Sequence, residues 1–174
     1  MCGQCLAKPP AFDRTLAVLI YAFPADALIQ AMKYGHQLAL APTLAGLLAE
    51  AAATGERPDV LVPMPLHPLR LRERGFNQAL ELAKIIAHQL GIPLLPQGAE
   101  RTRATPPQVG LPWKERTANL RGAFSSSLDY TGKHVAIVDD VMTTGTSLNE
   151  LAKALRRQGA SEVSAWAVAR TVGE

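Results

Sequence analysis

The feature that most restricts how this chain can fold is the stretch Val135-Ala136-Ile137-Val138-Asp139-Asp140-Val141-Met142-Thr143-Thr144-Gly145-Thr146-Ser147-Leu148. Four apolar residues end in two adjacent carboxylates and then in hydroxyls around one glycine. Directly after them come Leu148, Leu151 and Leu155, at helical spacing. The apolar run, from His134 to Val138, reads as a buried strand, and the leucines as one face of a helix over residues 147–157. The acids then lie at the carboxyl end of a strand, and the hydroxyl cluster forms the turn into the helix.

The same alternation runs through the rest of the chain. Residues 16–23 are apolar, rich in strand formers and closed by Pro24, and read as a buried strand. Residues 25–34 place Leu28 and Met32 one turn apart before Gly35, and a second helix is expected over 43–53. Val60, Leu61 and Val62 form a short strand that runs into Pro63-Met64-Pro65. Asn77 stands at a natural N-cap, followed by the stripe Leu80, Ala83, Ala87 and Leu90 and the stop Gly91. Residues 163–168 read as a last strand, with Trp166 in the core. Strands alternating with helices indicate βαβ units, hence an α/β fold with a mostly parallel central sheet flanked by helices. Ligands of such sheets bind at the carboxyl ends of the strands, which here means the loops after Val62 and Val138.

Residues 93–127 lack periodicity and are rich in proline, glycine, arginine and hydroxyl residues. Loops longer than about 12–15 residues are uncommon in compact domains and tend to be lids or binding loops. With 174 residues, 48% hydrophobic and 19% charged, the chain suits one folded unit. Its net charge of +3 favours anionic ligands without reaching the density of a dedicated DNA-binding surface. No segment reaches the roughly 18 apolar residues of a membrane helix. The start lacks a basic region followed by an apolar core, so a cytoplasmic protein without a membrane span is expected.

Chemistry explains the residue types of the opening stretch. A helix N-terminus offers unpaired N–H groups and a positive dipole end, which favour a phosphate. Gly145 lets the backbone approach closely, and Thr143, Thr144, Thr146 and Ser147 add hydroxyl donors. Ionised Asp139 and Asp140 are acceptors only and suit vicinal hydroxyls or a metal-bound water. An acidic pair beside a phosphate cradle suggests a sugar phosphate such as ribose 5-phosphate. A Walker B reading fails because no G-x-x-x-x-G-K-[ST] loop is present, and a dinucleotide fold because no G-x-G-x-x-G follows a strand. A capped helix start alone would explain one Asp and one Thr, not two acids and four hydroxyls within nine residues.

Residues 135–147 resemble the phosphoribosyl pyrophosphate (PRPP) binding motif of type I phosphoribosyltransferases. Val62-Pro63-Met64-Pro65-Leu66-His67-Pro68, Arg72-Glu73-Arg74-Gly75-Phe76-Asn77-Gln78, Arg101-Thr102-Arg103, residues 105–108, Arg116, Asn119 and residues 122–124 resemble the competence protein F (ComF) family. The likeness covers nearly the whole chain from Cys2. It implies a type I phosphoribosyltransferase fold with a flexible lid or hood. It implies that Asp139 and Asp140 are the catalytic acids and bind the ribose hydroxyls, and that Thr143, Thr144, Gly145, Thr146 and Ser147 hold the 5-phosphate.

The resemblance gives the pyrophosphate to the loop after the second strand, through Met64, Pro65, Arg72, Arg74 and Asn77. Arg74 is the favoured anchor, because a guanidinium grips phosphate oxygens in two bonds. Arg101, Arg103, Gln108 and Arg116 fall in the implied lid, where Trp113 is placed to stack on a base. His67, between Leu66 and Pro68, is expected to make one polar contact in a loop rather than to act as a base. Magnesium would arrive with PRPP.

Cys2 and Cys5 form a single C-x-x-C, half of a tetrahedral zinc site. They read either as two unpaired thiols or as the remnant, over residues 1–10, of a zinc ribbon whose other pair lies elsewhere. The resemblance assigns residues 11–174 to a phosphoribosyltransferase-like domain. Family members typically carry two such pairs.

Two functions follow from the resemblance. One is transfer of a phosphoribosyl group from PRPP to an unidentified nitrogen nucleophile with release of pyrophosphate. The other is a PRPP-binding accessory role in natural competence, with single-stranded DNA or competence machinery as partner. Aromatics are only 5% of residues, few for a stacking platform. A homodimer is compatible with either.

Overall fold

In the computed structural model, which describes residues 9–35, 37–103 and 120–172, the apolar runs form the centre of a parallel sheet. Strand β1 is Arg14–Ile20, β2 is Val60–Pro63, β5 is His134–Met142 and β6 is Glu162–Arg170. Their order is β1-β6-β5-β2, every pair parallel. β5 and β6 are central and mostly buried, as near-continuous Val, Ile and Ala runs require when both faces are covered. β1 is an edge strand and half-exposed, which corrects the expectation of a buried strand over 16–23. Its apolar residues pack on one side only, and the strand ends at Ile20, before the Pro24 used to delimit it.

Helix α1 is Ala25–Tyr34, α2 is Ala41–Ala52 and α4 is Gln78–Leu90. Together they cover one face of the sheet, where Ile29, Leu48, Leu82, Ile86 and Trp166 share a core. Helix α5, Thr146–Arg157, covers the other face with Leu148, Leu151 and Leu155. The leucine spacing foresees that face. In α4 the buried face is Ala79, Leu82, Ala83, Ile86 and Ala87, with Leu80 and Leu90 only half-buried. The stripe is rotated from the expected one because α4 is wedged between the sheet and α2, so two neighbours, not one, define its inner side.

Among the described residues, a short helix and a ribbon emerge where no regular structure is expected. A short helix α3, Pro68–Arg74, follows β2; it starts on His67, whose Nδ1 accepts the Leu69 N–H at 3.3 Å, and ends at Gly75 with φ 80°. None of its residues is buried, so no apolar periodicity betrays it. A two-stranded antiparallel ribbon pairs β3, Glu100–Arg101, with β4, Phe124–Ser125. The ribbon stands at the two ends of the aperiodic segment and is pinned by Ser126 Oγ and Tyr130 Oη, which both donate to Gly98 O at 2.7 and 2.6 Å.

The chain leaves β2 toward the α1–α2–α4 layer and leaves β5 toward α5, on opposite faces. A crevice therefore opens between the carboxyl ends of these adjacent strands, the place where open α/β sheets bind ligands.

Candidate functional site

Strand β5 continues through both acids to Met142 and does not stop before them, as the apolar pattern suggests. Its backbone ladder is set by β6, which pairs Asp139 with Ala167 and Met142 with Arg170. Consecutive strand residues point to opposite faces. Asp140 shares the face of Ala136 and Val138, toward α1, and Asp139 shares the face of Val135 and Ile137, toward α5.

The two carboxylates are therefore in different surroundings. Asp140 is 6% exposed, and its Oδ2 lies 2.8 Å from Lys33 Nζ at the last turn of α1. Burial pulls the Lys33 ammonium down, but the charge of Asp140 and its hydrogen bond outweigh it, so Lys33 titrates above its ordinary value. Asp139 Oδ1 accepts the Asp140 N–H at 2.9 Å. Burial, followed by the neighbouring Asp140 charge and opposed by Lys33, pushes the Asp139 carboxyl up to about 8.

Thr143, Thr144, Gly145, Thr146 and Ser147 wrap the start of α5 next to Asp139, forming a small cradle. Gly145 adopts φ 72°, and a Cβ there would lie 2.8 Å from Met142 Cε. Thr144 Oγ1 and Thr146 Oγ1 are 2.8 Å apart, and the Thr146 N–H points to Thr144 Oγ1 at 3.4 Å. The chain folds this way locally because the tight turn needs a left-handed residue where glycine alone is unstrained.

A cleft of about 150 Å³ joins this cradle to the loop after β2. Met64, Pro65, Arg74 and Asn77 line it with Asp139, Asp140 and Ser147. Arg74 Nη1 donates to Gln78 Oε1 at 2.8 Å, and its guanidinium lies 5.3 Å from the centroid of the Tyr34 ring. Asn77 uses both ends of its amide inside the protein: Oδ1 accepts the Ala79 N–H at 3.0 Å, and Nδ2 donates to Met64 O at 3.1 Å. It caps α4 and fixes the loop.

Arg101 also lines the cleft, with its guanidinium 5.7 Å from the Phe124 centroid. Burial lowers the Arg101 value, nearby Arg70 adds to this and Asp139 opposes it. An anionic ligand would relieve this crowding of cations. Arg72 and Arg103 are exposed and do not line the cleft. Gln108, Arg116, Trp113, Cys2 and Cys5 lie outside the described residues.

Lys33 and Tyr34 reach the site without a sequence signal, and Gln78 lies in the 72–78 stretch that carries the resemblance but receives no role from it. A lysine in the last turn of a helix is explained by the dipole alone, and Gln78 looks like an ordinary first-turn residue. Among the described residues, no three His, Cys, Asp or Glu side chains gather into a metal cage, and no helix is long and apolar enough to cross a membrane.

Residues 77–171 match the family described as Phosphoribosyl transferase domain. The chain is 38% identical to Competence protein F of Haemophilus influenzae over 97% of its own length and 78% of that protein. It is 38% identical to DNA utilization protein YhgH of Salmonella typhi, over 98% of this chain and 78% of the relative. A purine phosphoribosyltransferase from Pyrococcus horikoshii is similar at a TM-score of 0.48 and 18% identity, covering 90% of this chain and 87% of that one. With such identity along nearly its whole length and a family match over more than half of it, the chain belongs to the competence protein F family and carries a phosphoribosyl transferase domain.

Proposed function

We propose that the cleft binds PRPP together with magnesium and transfers its phosphoribosyl group to a nitrogen acceptor. The observation that carries this reading is the arrangement of Asp139 between the hydroxyl cradle of α5 and the Arg74 side of the β2 loop. A ribose 5-phosphate needs diol acceptors next to a phosphate cradle, and the pyrophosphate needs a cation across from them.

In the proposed reaction the bond from the anomeric carbon to the pyrophosphate oxygen breaks, and its electron pair leaves with the pyrophosphate. A nitrogen lone pair forms the new bond, and the proton on that nitrogen is lost to solvent. Positive charge develops at the ribose ring, so the protein acts mainly by positioning and by charge. Asp139, and Asp140 held by Lys33, accept from the ribose hydroxyls; Thr143, Thr144, Thr146 and Ser147 surround the 5-phosphate. Arg74 and Arg101 balance the leaving group. Magnesium suits this donor set, with few carboxylates and a ligand rich in phosphate oxygens. When bound it would neutralise phosphate charge, and the acids would reach it through water at most.

The test is calorimetric titration of PRPP, with and without magnesium, into the protein and its Asp139→Asn variant. Magnesium-dependent binding lost in the variant supports the reading, and pyrophosphate release can then be screened against nucleobases and amines. Absence of binding by folded protein rejects it.

A second reading is favoured by the relatives' names, competence and DNA utilization: a PRPP-binding accessory protein that handles single-stranded DNA with little turnover. Affinity for an oligonucleotide that falls steeply with salt, alongside PRPP binding without pyrophosphate release, would favour it.

A further inference from the structure

The Arg74 side of the cleft contains a buried polar group that the protein leaves unsatisfied. Gln78 is 2% exposed and lines the cleft beside Arg74, Met64 and Asp140. Its oxygen accepts from Arg74 Nη1 at 2.8 Å. A guanidinium has donors only, so the atom facing Arg74 must be the amide oxygen, and the orientation of the amide follows from chemistry. The amide nitrogen is then the other end. Nε2 is buried and has no hydrogen-bond partner.

Buried amide groups are nearly always paired, and one left unpaired asks for a reason. Two polar side chains that line the cleft with it have partners of their own. Asp140 is held by Lys33 at 2.8 Å, and Asn77 Oδ1 is occupied by the Ala79 N–H at 3.0 Å. That same cap takes the Ala79 N–H of the first turn of α4. The missing partner must be an acceptor that tolerates Arg74 beside it. A phosphate oxygen meets both conditions, since it accepts only and is drawn to the guanidinium.

We propose that Gln78 is a ligand-binding residue for the pyrophosphate end of the cleft. Nε2 donates to a phosphate oxygen, and Oε1 holds the Arg74 guanidinium in position for the same group, with the Tyr34 ring 5.3 Å from it on another side. This assignment rests on the reading of the cleft as a PRPP site. It goes beyond that reading in giving recognition of the leaving group to a neutral side chain at the first turn of α4.

The experiment titrates magnesium pyrophosphate and, separately, ribose 5-phosphate into the protein, Gln78→Met and Gln78→Glu, with thermal melting of each. Gln78→Met keeps the length and removes both the donor and the oxygen that holds Arg74. It should lose about tenfold or more in pyrophosphate affinity and keep ribose 5-phosphate affinity within about twofold. Gln78→Glu keeps an acceptor for Arg74 and adds negative charge, so it should lose more; it also decides the matter if the Met variant does not fold. Unchanged pyrophosphate affinity in either folded variant overturns the assignment and leaves water as the partner of Nε2. Equal loss of both ligands overturns it too, because the amide would then act through the fold. An unsubstituted protein that binds neither ligand rejects the PRPP reading itself, a result separable from any variant.

Discussion

Lys33 Nζ and Asp140 Oδ2, 2.8 Å apart, join the last turn of α1 to the centre of β5. The side chains are 19% and 8% exposed, so the pair is largely shielded from water. It holds one of the two adjacent acids of the site in a fixed direction and leaves the other, Asp139, in a separate setting.

Removing one partner of a buried pair leaves an uncompensated charge. Lys33→Met should destabilise the fold by about 3–5 kcal/mol. Lys33→Met with Asp140→Asn should cost less than the sum of the single changes, because no charge is left alone. Urea unfolding of the four proteins measures the coupling. Additive costs would show that the pair carries no interaction energy.

The raised carboxyl of Asp139 predicts a pH dependence. The folded protein holds this proton more tightly than the unfolded chain, whose ordinary value is 3.8, against about 8 in the fold. The contribution to stability is thus fully present below 3.8 and is lost as pH rises toward 8. Urea midpoints measured from mildly acidic to mildly alkaline pH should fall more in the parent than in Asp139→Asn. PRPP affinity should rise over the same window, because a diol needs the ionised acceptor. A parent and variant with parallel profiles would contradict this.

The arginines near the β2 loop should separate by position. Arg74 lines the cleft, whereas Arg72 is exposed outside it. Arg74→Ala should weaken PRPP binding by about 10–100-fold, the range for a lost hydrogen bond to a charged group, and Arg72→Ala by less than about twofold. Titration calorimetry distinguishes them. Equal losses would mean that both arginines reach the ligand.

Gly145→Ala places a side chain on a residue with φ 72° and 2.8 Å from Met142 Cε. The backbone conformation alone should cost about 1–2 kcal/mol, and reshaping the turn should lower PRPP affinity. Adding Met142→Ala removes the clash but not the strain, so thermal melting should show only partial recovery. Full recovery would assign the cost to the contact.

Asn77→Ala removes the cap of α4 and the tie to Met64 O, and should cost about 1–2 kcal/mol. Asn77→Asp retains the capping oxygen and loses only the donor to Met64 O at 3.1 Å. Its melting temperature should lie between those of the parent and Asn77→Ala. A melting temperature at or below that of Asn77→Ala would show that the Met64 tie outweighs the cap.

Much of the site is written locally. The strand, the paired acids and the hydroxyl turn around Gly145 are contiguous, and backbone geometry over a few residues suffices to place them at the end of a strand and the start of a helix. The parallel α/β class follows from alternating apolar runs for the same reason. Other features depend on contacts between distant segments. The pairing of β5 with β6 carries the strand through Asp139 and Asp140, which sends their side chains to opposite faces. The packing of α1 against the sheet brings Lys33 to Asp140, and the wedging of α4 between the sheet and α2 buries Gln78 beside Arg74. Helix α3 buries none of its residues, so no periodic pattern could announce it. Periodicity reports which side of an element is covered; which polar groups meet across the cleft is decided only when separate elements pack.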